Sequence, residues 1–218
     1  MNKFFSILLM FISTFFFSQK KQCFCAENPE MNNATTSCET KVLKNGAKLY
    51  WQFNCNKIWL TLENKKKKIE IDQMDVSDFG LTYRLGFHFI KEYKNSLLFR
   101  TGCGATGPCS YVLIDKKTGK KLKEFNQLIC IDTDITTENA HPYSFPFVVY
   151  LSPETDHLII YFIDTQKIIK VPFREKLVYA IPENQFTKME VRNNRLIITY
   201  DTSKDILKSL KIDLKNQF

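Results

Sequence analysis

The chain predicts an all-β fold of repeated antiparallel meanders, β-propeller-like, behind a cleaved N-terminal signal peptide. Three observations carry the prediction. Nineteen Phe and nine Tyr stand against only seven Gly and seven Pro in 218 residues, and aromatic and β-branched side chains suit a pleated, half-buried surface. From Lys48 onward, short apolar runs alternate with turns that carry Asn or Asp, residues that tolerate the left-handed backbone of hairpins. Four such turns, at Asn56, Asn95, Asp156 and Asn194, lie 39, 61 and 38 residues apart, near the ~40–45-residue period of blade repeats in two of three intervals. A β-sandwich or meander barrel would use the same runs and stays open as an alternative.

The chain opens MNKFFSILLMFISTFFFS. Lys3 forms a short basic start, Phe4 to Phe17 is apolar save Ser6, Ser13 and Thr14, and the run ends at Ser18 before Lys20 and Lys21. That is the anatomy of a signal peptide over residues 1–18, and the run falls short of the roughly 20 apolar residues of a spanning helix. An uncleaved anchor is the weaker alternative. Lipidation at Cys23 is excluded, because Lys20, Lys21 and Gln22 precede it where small apolar residues are required. The protein is therefore expected to be exported, periplasmic or extracellular, with no stable membrane insertion. Residues 19–42 read as a polar, cysteine-bearing arm without periodicity, and 43–218 as a single all-β domain. The sequon Asn33-Ala34-Thr35 has meaning only in a eukaryotic secretory pathway.

Within that domain, each unit offers two strand-like runs about a short turn, then a third run. The first is KLYWQF and IWLTLE, followed by KKIEID. The second is FHFIKEY and LLFRT, followed by SYVLID. The third is FPFVVYL and LIIYFID, followed by KIIKVPF. The fourth is FTKMEV and LIITYD, followed by ILKSLKIDL. The long interval reads as a unit enlarged by an insertion between Gly102 and Asp134. Asp115 to Lys120, with Gly119, reads as a turn joining two strands. Alternating Leu210, Ile212 and Leu214 favour a final strand over a helix.

Seven cysteines in an exported chain are expected to be largely oxidised, and an odd number leaves one over. Cys103 and Cys109 bracket CGATGPC, whose glycines and proline turn the backbone back on itself, so they are expected to pair. Cys38 with Cys55 would tie the arm to the first hairpin. Cys130, inside LICID, is the candidate leftover thiol, and a buried inert cysteine is the commoner role for such a residue. The formal charge is +8, which suits anionic partners, but the lysines are spread along the chain. Lys65 to Lys68 lie between Ile58–Leu62 and Ile69–Ile71 and read as a solvated hairpin tip that blocks edge pairing. No aromatic-interleaved basic motif accompanies them, so no nucleic-acid partner is expected.

Sequence motifs for catalysis are absent. His88, His141 and His157 have no metal-ligand spacing, and neither HExxH nor GxSxG occurs. The acidic stretch with Asp132, Asp134, Glu138 and Asn139 lacks calcium-loop spacing. No catalytic residue, metal or cofactor is assigned. The strongest local feature is RTGCGATGPCSYVLID, from Arg100 to Asp115. Gly102, Gly104 and Gly107 beside Arg100 would suit an anion-binding nest of backbone amides; the alternative is a disulfide-closed loop whose glycines serve geometry alone. Trp51 and Trp59, with Tyr50 and Phe53, surround the first hairpin and could grip a sugar or a partner, core packing being their commoner use. Alternation puts Trp51 and Phe53 on one side and Tyr50 on the other.

From Leu97 to Phe125, with the hairpin around Trp51 and Trp59, the chain resembles uncharacterised exported bacterial proteins. Those pair a Gly/Cys-rich loop with a strand ending in Ile-Asp and a Thr-Gly-Lys turn. The resemblance implies export and no established activity. The expectation is a monomeric binding protein of the cell envelope or extracellular space, acting on another protein or an envelope polymer, an immunity or inhibitor role included. The alternative is a carbohydrate-active envelope hydrolase, whose paired carboxylates need no local motif.

Overall fold

The computed structural model describes residues 39–53, 57–65, 67–104, 107–131, 136–137, 146–203 and 206–214. The expected signal peptide, Cys38 and Cys55 with their expected bridge, the turn residue Asn56, and His141 with the acidic stretch before it lie outside the described residues.

The fold is all-β. Strands β1 (Lys41–Val42), β2 (Lys48–Phe53), β3 (Lys57–Asn64) and β4 (Lys67–Asp75) form a first sheet in that order. A 3-10 turn Val76–Leu81 and a single α-turn Thr82–Leu85 lead to the second sheet. That sheet holds β5 (His88–Glu92), β6 (Ser96–Thr101), β7 (Ser110–Asp115) and β8 (Lys121–Asn126). Next come β9 (Leu128–Ile131) and β10 (Thr136–Thr137). The third sheet runs from β9 through β11 (Phe147–Leu151) and β12 (His157–Phe162) to β13 (Ile168–Pro172). A 3-10 turn Pro182–Gln185 precedes β14 (Phe186–Arg192), which with β15 (Arg195–Asp201) and β16 (Leu207–Asp213) builds the fourth. Every pairing is antiparallel except the short parallel contact of β10 with β14.

Side-chain alternation explains how the sheets stack. In the second sheet Leu97, Phe99, Val112 and Ile114 join Leu49, Leu60 and Leu62 of the first. Leu98, Leu113 and Phe125 face the other way, onto Val148, Tyr150, Ile159 and Tyr161 of the third. The third sheet then turns Phe147, Val149, Leu158 and Ile160 towards Val191, Leu196 and Ile198 of the fourth. The two middle sheets are covered on both faces, so FVVYL and LIIYF are continuous apolar runs. Among the described residues each end sheet joins a core cluster through one face, and along β15 buried residues alternate with more exposed ones. Their outer faces are polar: Tyr50, Gln52, Trp59 and Glu63 on the first, Lys188, Glu190, Thr199 and Lys211 on the fourth. Among the described residues no core cluster joins the first sheet to the fourth. Among the described residues the sheets pack in chain order, first on second, second on third and third on fourth.

One expectation needs correction. The interval from Gly102 to Asp134 is not an insertion, because β7, β8 and β9 within it are regular members of the second and third sheets. The Asp156 and Asn194 turns join β11 to β12 and β14 to β15, but Asn95 joins β5 to β6, one hairpin earlier in its sheet. The equivalent connection in the second sheet is the loop between β6 and β7 that holds both glycines and cysteines. Asn-bearing turns serve both kinds of hairpin, so turn chemistry alone does not phase the repeat.

Candidate functional site

An antiparallel meander places its first and third connections at one end and its second at the other. The lysine-bearing turns consequently meet at one end of three sheets. They enclose a cleft of about 840 Å³ lined by Asn45, Asn64, Lys65, Lys67, Lys94, Asn95, Ser96, Asp115, Lys116, Lys117, Leu122, Ile163, Asp164 and Gln166. These residues come from the turns β1–β2, β3–β4, β5–β6, β7–β8 and β12–β13.

Local chemistry fixes each turn. Asp115 Oδ1 accepts from Lys117 N at 3.0 Å and from the N–H and hydroxyl of Thr118 at 2.6 and 2.7 Å. Gly119 follows at φ +68°, a backbone only glycine adopts freely. Asn45 Oδ1 accepts from Ala47 N at 3.1 Å, with Gly46 at φ +79° between them. Lys116 ties the turns together. Its buried ammonium donates to a Glu92 carboxylate oxygen, to Tyr93 O at 3.2 Å and to Lys94 O at 3.4 Å. Glu92 also accepts from Lys44 N at 2.9 and 3.1 Å, and Asn64 Nδ2 donates to Lys116 O at 3.2 Å. The first and second sheets are thus stitched by a paired charge.

The Glu92 and Asp115 carboxylates are both held below their ordinary range. Burial acts to raise the Glu92 carboxyl, but the Lys116 hydrogen bond and the Lys44 N–H outweigh it and hold it below its ordinary value. Burial likewise acts on Asp115, and the donors of Thr118 and Lys117 reverse it. The carboxyl that rises to about 6 is Asp72, through burial opposed by N–H donors of Phe87 and Gln73. It lies on the inner face of the first sheet opposite Leu60 and does not line the cleft.

The residues singled out from the sequence lie elsewhere. Cys103 and Cys109 form the expected disulfide. Gly102 sits at φ +56°, and a Cβ on Gly104 would come within 3.2 Å of Gly107 N, so these two glycines serve ring geometry. Cys103 N donates to Arg84 O at 2.8 Å, which pins the ring to the α-turn between the sheets. Arg100 is half-buried in β6, opposite Tyr111. Trp51 faces inward near Gly86, while Trp59 is on the outer face of the same sheet and donates to Gln52 Oε1 at 3.1 Å. The two tryptophans therefore share no surface, and neither lines the large cleft. Trp51 instead lines a cavity of about 170 Å³ with Phe87, Phe89 and Phe99.

The two described histidines, His88 and His157, are held by local contacts. His88 is half-buried with Nε2 2.9 Å from Thr82 O. His157 Nδ1 is 2.7 Å from Asp156, which also accepts from Ser152 Oγ at 2.8 Å. In a nucleophilic triad the imidazole stands between hydroxyl and carboxylate; here the carboxylate is central and the group caps a turn. Cys130 is buried in the core between the third and fourth sheets. Among the described residues no cluster of metal-ligating side chains occurs and no helix is long and apolar enough to cross a membrane.

The cleft is what sequence reasoning missed. Its residues are scattered over five turns, and the signal available was the recurrence of lysine beside asparagine at β1–β2, β3–β4 and β5–β6. The Lys65–Lys68 run does mark a hairpin tip, and Lys65 and Lys67 also wall the cleft.

No protein-family model matches the chain, and no curated protein matches it. Among solved structures the chain is similar to the WD40 domain of SCAP from fission yeast, at 9% identity, with 82% of this chain and 43% of that chain covered and a TM-score of 0.27.

Proposed function

We propose that this is an exported binding protein of the cell envelope or extracellular space, and that it holds an envelope polymer in the cleft between the turns. The observation that carries the reading is the cleft itself: five turns from three sheets converge on one open space, lined by lysines, amides and a hydroxyl together with Asp115, Asp164, Leu122 and Ile163. Hydrolysis of a glycosidic bond requires one carboxyl held protonated and a second ionised. Asp115, a carboxylate of the cleft, is already committed to three hydrogen bonds and kept ionised. The raised Asp72 carboxyl lies outside it. This favours retention of a ligand over its cleavage.

Asn95→Trp tests the reading. Asn95 is exposed at the β5–β6 turn and uses its backbone carbonyl, not its side chain, to accept from Lys116 N, so the indole fills the cleft without breaking the turn. Purified wild-type protein should sediment with isolated envelope polymer and Asn95→Trp should not. Equal sedimentation by both places binding elsewhere on the molecule. Release of new reducing ends by the wild type, lost in Asn95→Trp, would establish the hydrolase instead.

A further inference from the structure

We infer that the cleft selects a polyanion, a polymer segment bearing phosphate or carboxylate groups on a hydroxyl-rich backbone. The inference rests on the cleft being the binding site. Five lysines line it against two aspartates. The fifth positive charge, Lys116, is spent inside the protein on Glu92 and two carbonyls. Lys65, Lys67, Lys94 and Lys117 form no ion pair within 4 Å among the described residues. Asp115 faces its own turn donors, so its charge is already screened. The result is four solvated ammonium groups around an open mouth.

Their placement argues for a chain and not for one small ion. The four lysines come from three different turns on two sheets, an arrangement that spreads positive charge around the mouth and suits successive charges along a chain. The remaining groups suit hydroxyls: the amides of Asn45, Asn95 and Gln166. Ser96 adds a second, independent observation. It lines the cleft, is 2% exposed, and its Oγ has no hydrogen-bond partner. A buried hydroxyl left unsatisfied is costly to a fold, and a ligand oxygen beside it supplies the missing partner. Leu122, 42% exposed, offers an apolar surface against which a sugar or polyol face can rest.

The test uses three probes of matched length: a linear polyphosphate, an oligogalacturonate, and an uncharged oligosaccharide. Binding is read by calorimetry at low salt and at 0.5 M NaCl. Wild-type protein should bind one or both anions and not the uncharged probe, and salt should weaken binding because exposed charges are screened within a few ångströms at high ionic strength. Which anion binds more tightly identifies phosphate or carboxylate as the source of charge. Lys94→Glu/Lys117→Glu should lower affinity about tenfold or more, from loss and reversal of two exposed contacts. Lys170→Glu/Lys211→Glu, the same charge change on β13 and β16 outside the cleft, should lower it less than twofold. Ser96→Ala should weaken binding about three- to tenfold with no loss of thermal stability. Equal losses in both charge-reversed variants mean a general attraction to a basic surface and overturn the inference. Binding of the uncharged probe alone, lost in Asn95→Trp, keeps the cleft as a binding site and removes the anion. Binding of neither anion also overturns it.

Discussion

Gly119→Ala probes the join between the first two sheets. Gly119 lies in the β7–β8 turn at φ +68°, where a side chain costs roughly 1–2 kcal/mol through its clash with the following carbonyl. Space adds a second cost. A Cβ at Gly119 would stand 2.5 Å from Ile69 Cγ2 and 3.0 Å from Ile71 Cγ2, both on β4 of the neighbouring sheet. Both isoleucines are already half-buried, and overpacking of this kind costs about 1–3 kcal/mol. The expected loss is about 3 kcal/mol in all, the sum of strain and overpacking. Gly46 is the internal control: its φ is +79° and nothing lies within 4 Å of its would-be Cβ. Gly46→Ala should therefore cost only the strain, about 1 kcal/mol. Equilibrium urea unfolding of the oxidised protein reads both variants, with m unchanged. Ile69→Ala, which removes the clashing methyl, should recover about 1–2 kcal/mol of the Gly119→Ala loss in a double-mutant cycle. Equal losses for Gly46→Ala and Gly119→Ala, or no coupling to Ile69, would refute the packing of this turn against β4.

Further outcomes follow from the buried groups and the disulfide. Lys116 and Glu92 side chains are 6% and 10% exposed, so Glu92→Gln strands an ammonium and should cost about 3–5 kcal/mol by thermal or urea unfolding. Because the Glu92 carboxyl is depressed in the fold, its stabilisation is complete above its unfolded value near ~4.3. It is lost as pH falls through the folded value, so the acid limb of a stability–pH curve should flatten in Glu92→Gln. Asp72 has the opposite sign. Its carboxyl rises to about 6, so the folded state holds the proton more tightly and stability declines as pH climbs from about 4 to 6. Asp72→Asn should remove that decline and stabilise the protein at pH 7 by about 1–2 kcal/mol after solvent screening; an unchanged pH profile would refute the burial of Asp72. Cys103 and Cys109 are separated by 6 residues, and opening so short a ring, as Cys103→Ser/Cys109→Ser, should cost about 2 kcal/mol. A larger loss would mean that the ring's contact with Arg84 organises the passage between the sheets as well.

The fold was legible because burial writes itself into periodicity. Continuous FVVYL and LIIYF mark strands covered on both faces, and the alternation in RLIITYD marks an end sheet. The final strand was legible for the same reason, through Leu210 and Ile212. Phase was not legible. Asn95 and Asn194 look alike in sequence and occupy different connections, since hairpin turns share chemistry whichever end of a sheet they close. The Cys103–Cys109 pair was legible because the ring is closed locally, within one connection.

The site was illegible for a reason that bears on its chemistry. A local loop such as Gly102 to Cys109 draws attention because its composition is unusual, and there Gly102 takes a positive φ, Gly104 packs close to Gly107, and Cys103 N donates to Arg84 O. Lysines at hairpin tips are ordinary one at a time, and edge protection accounts for each. What edge protection does not account for is the treatment of Lys116. A tip lysine kept only for solubility stays in water, whereas this one is buried at 5% exposure and neutralised by a glutamate from another strand. Glu92 in turn grips the first sheet through Lys44 N. The pair draws the turns of two sheets together and so sets the distance between Lys94 and Lys117 on one side and Lys65 and Lys67 on the other. If the cleft were an accident of packing, Glu92→Gln would affect stability alone. If the pair positions the walls of a binding site, Glu92→Gln protein kept folded at low temperature should bind the polyanion more weakly, although neither residue of the pair needs to touch it.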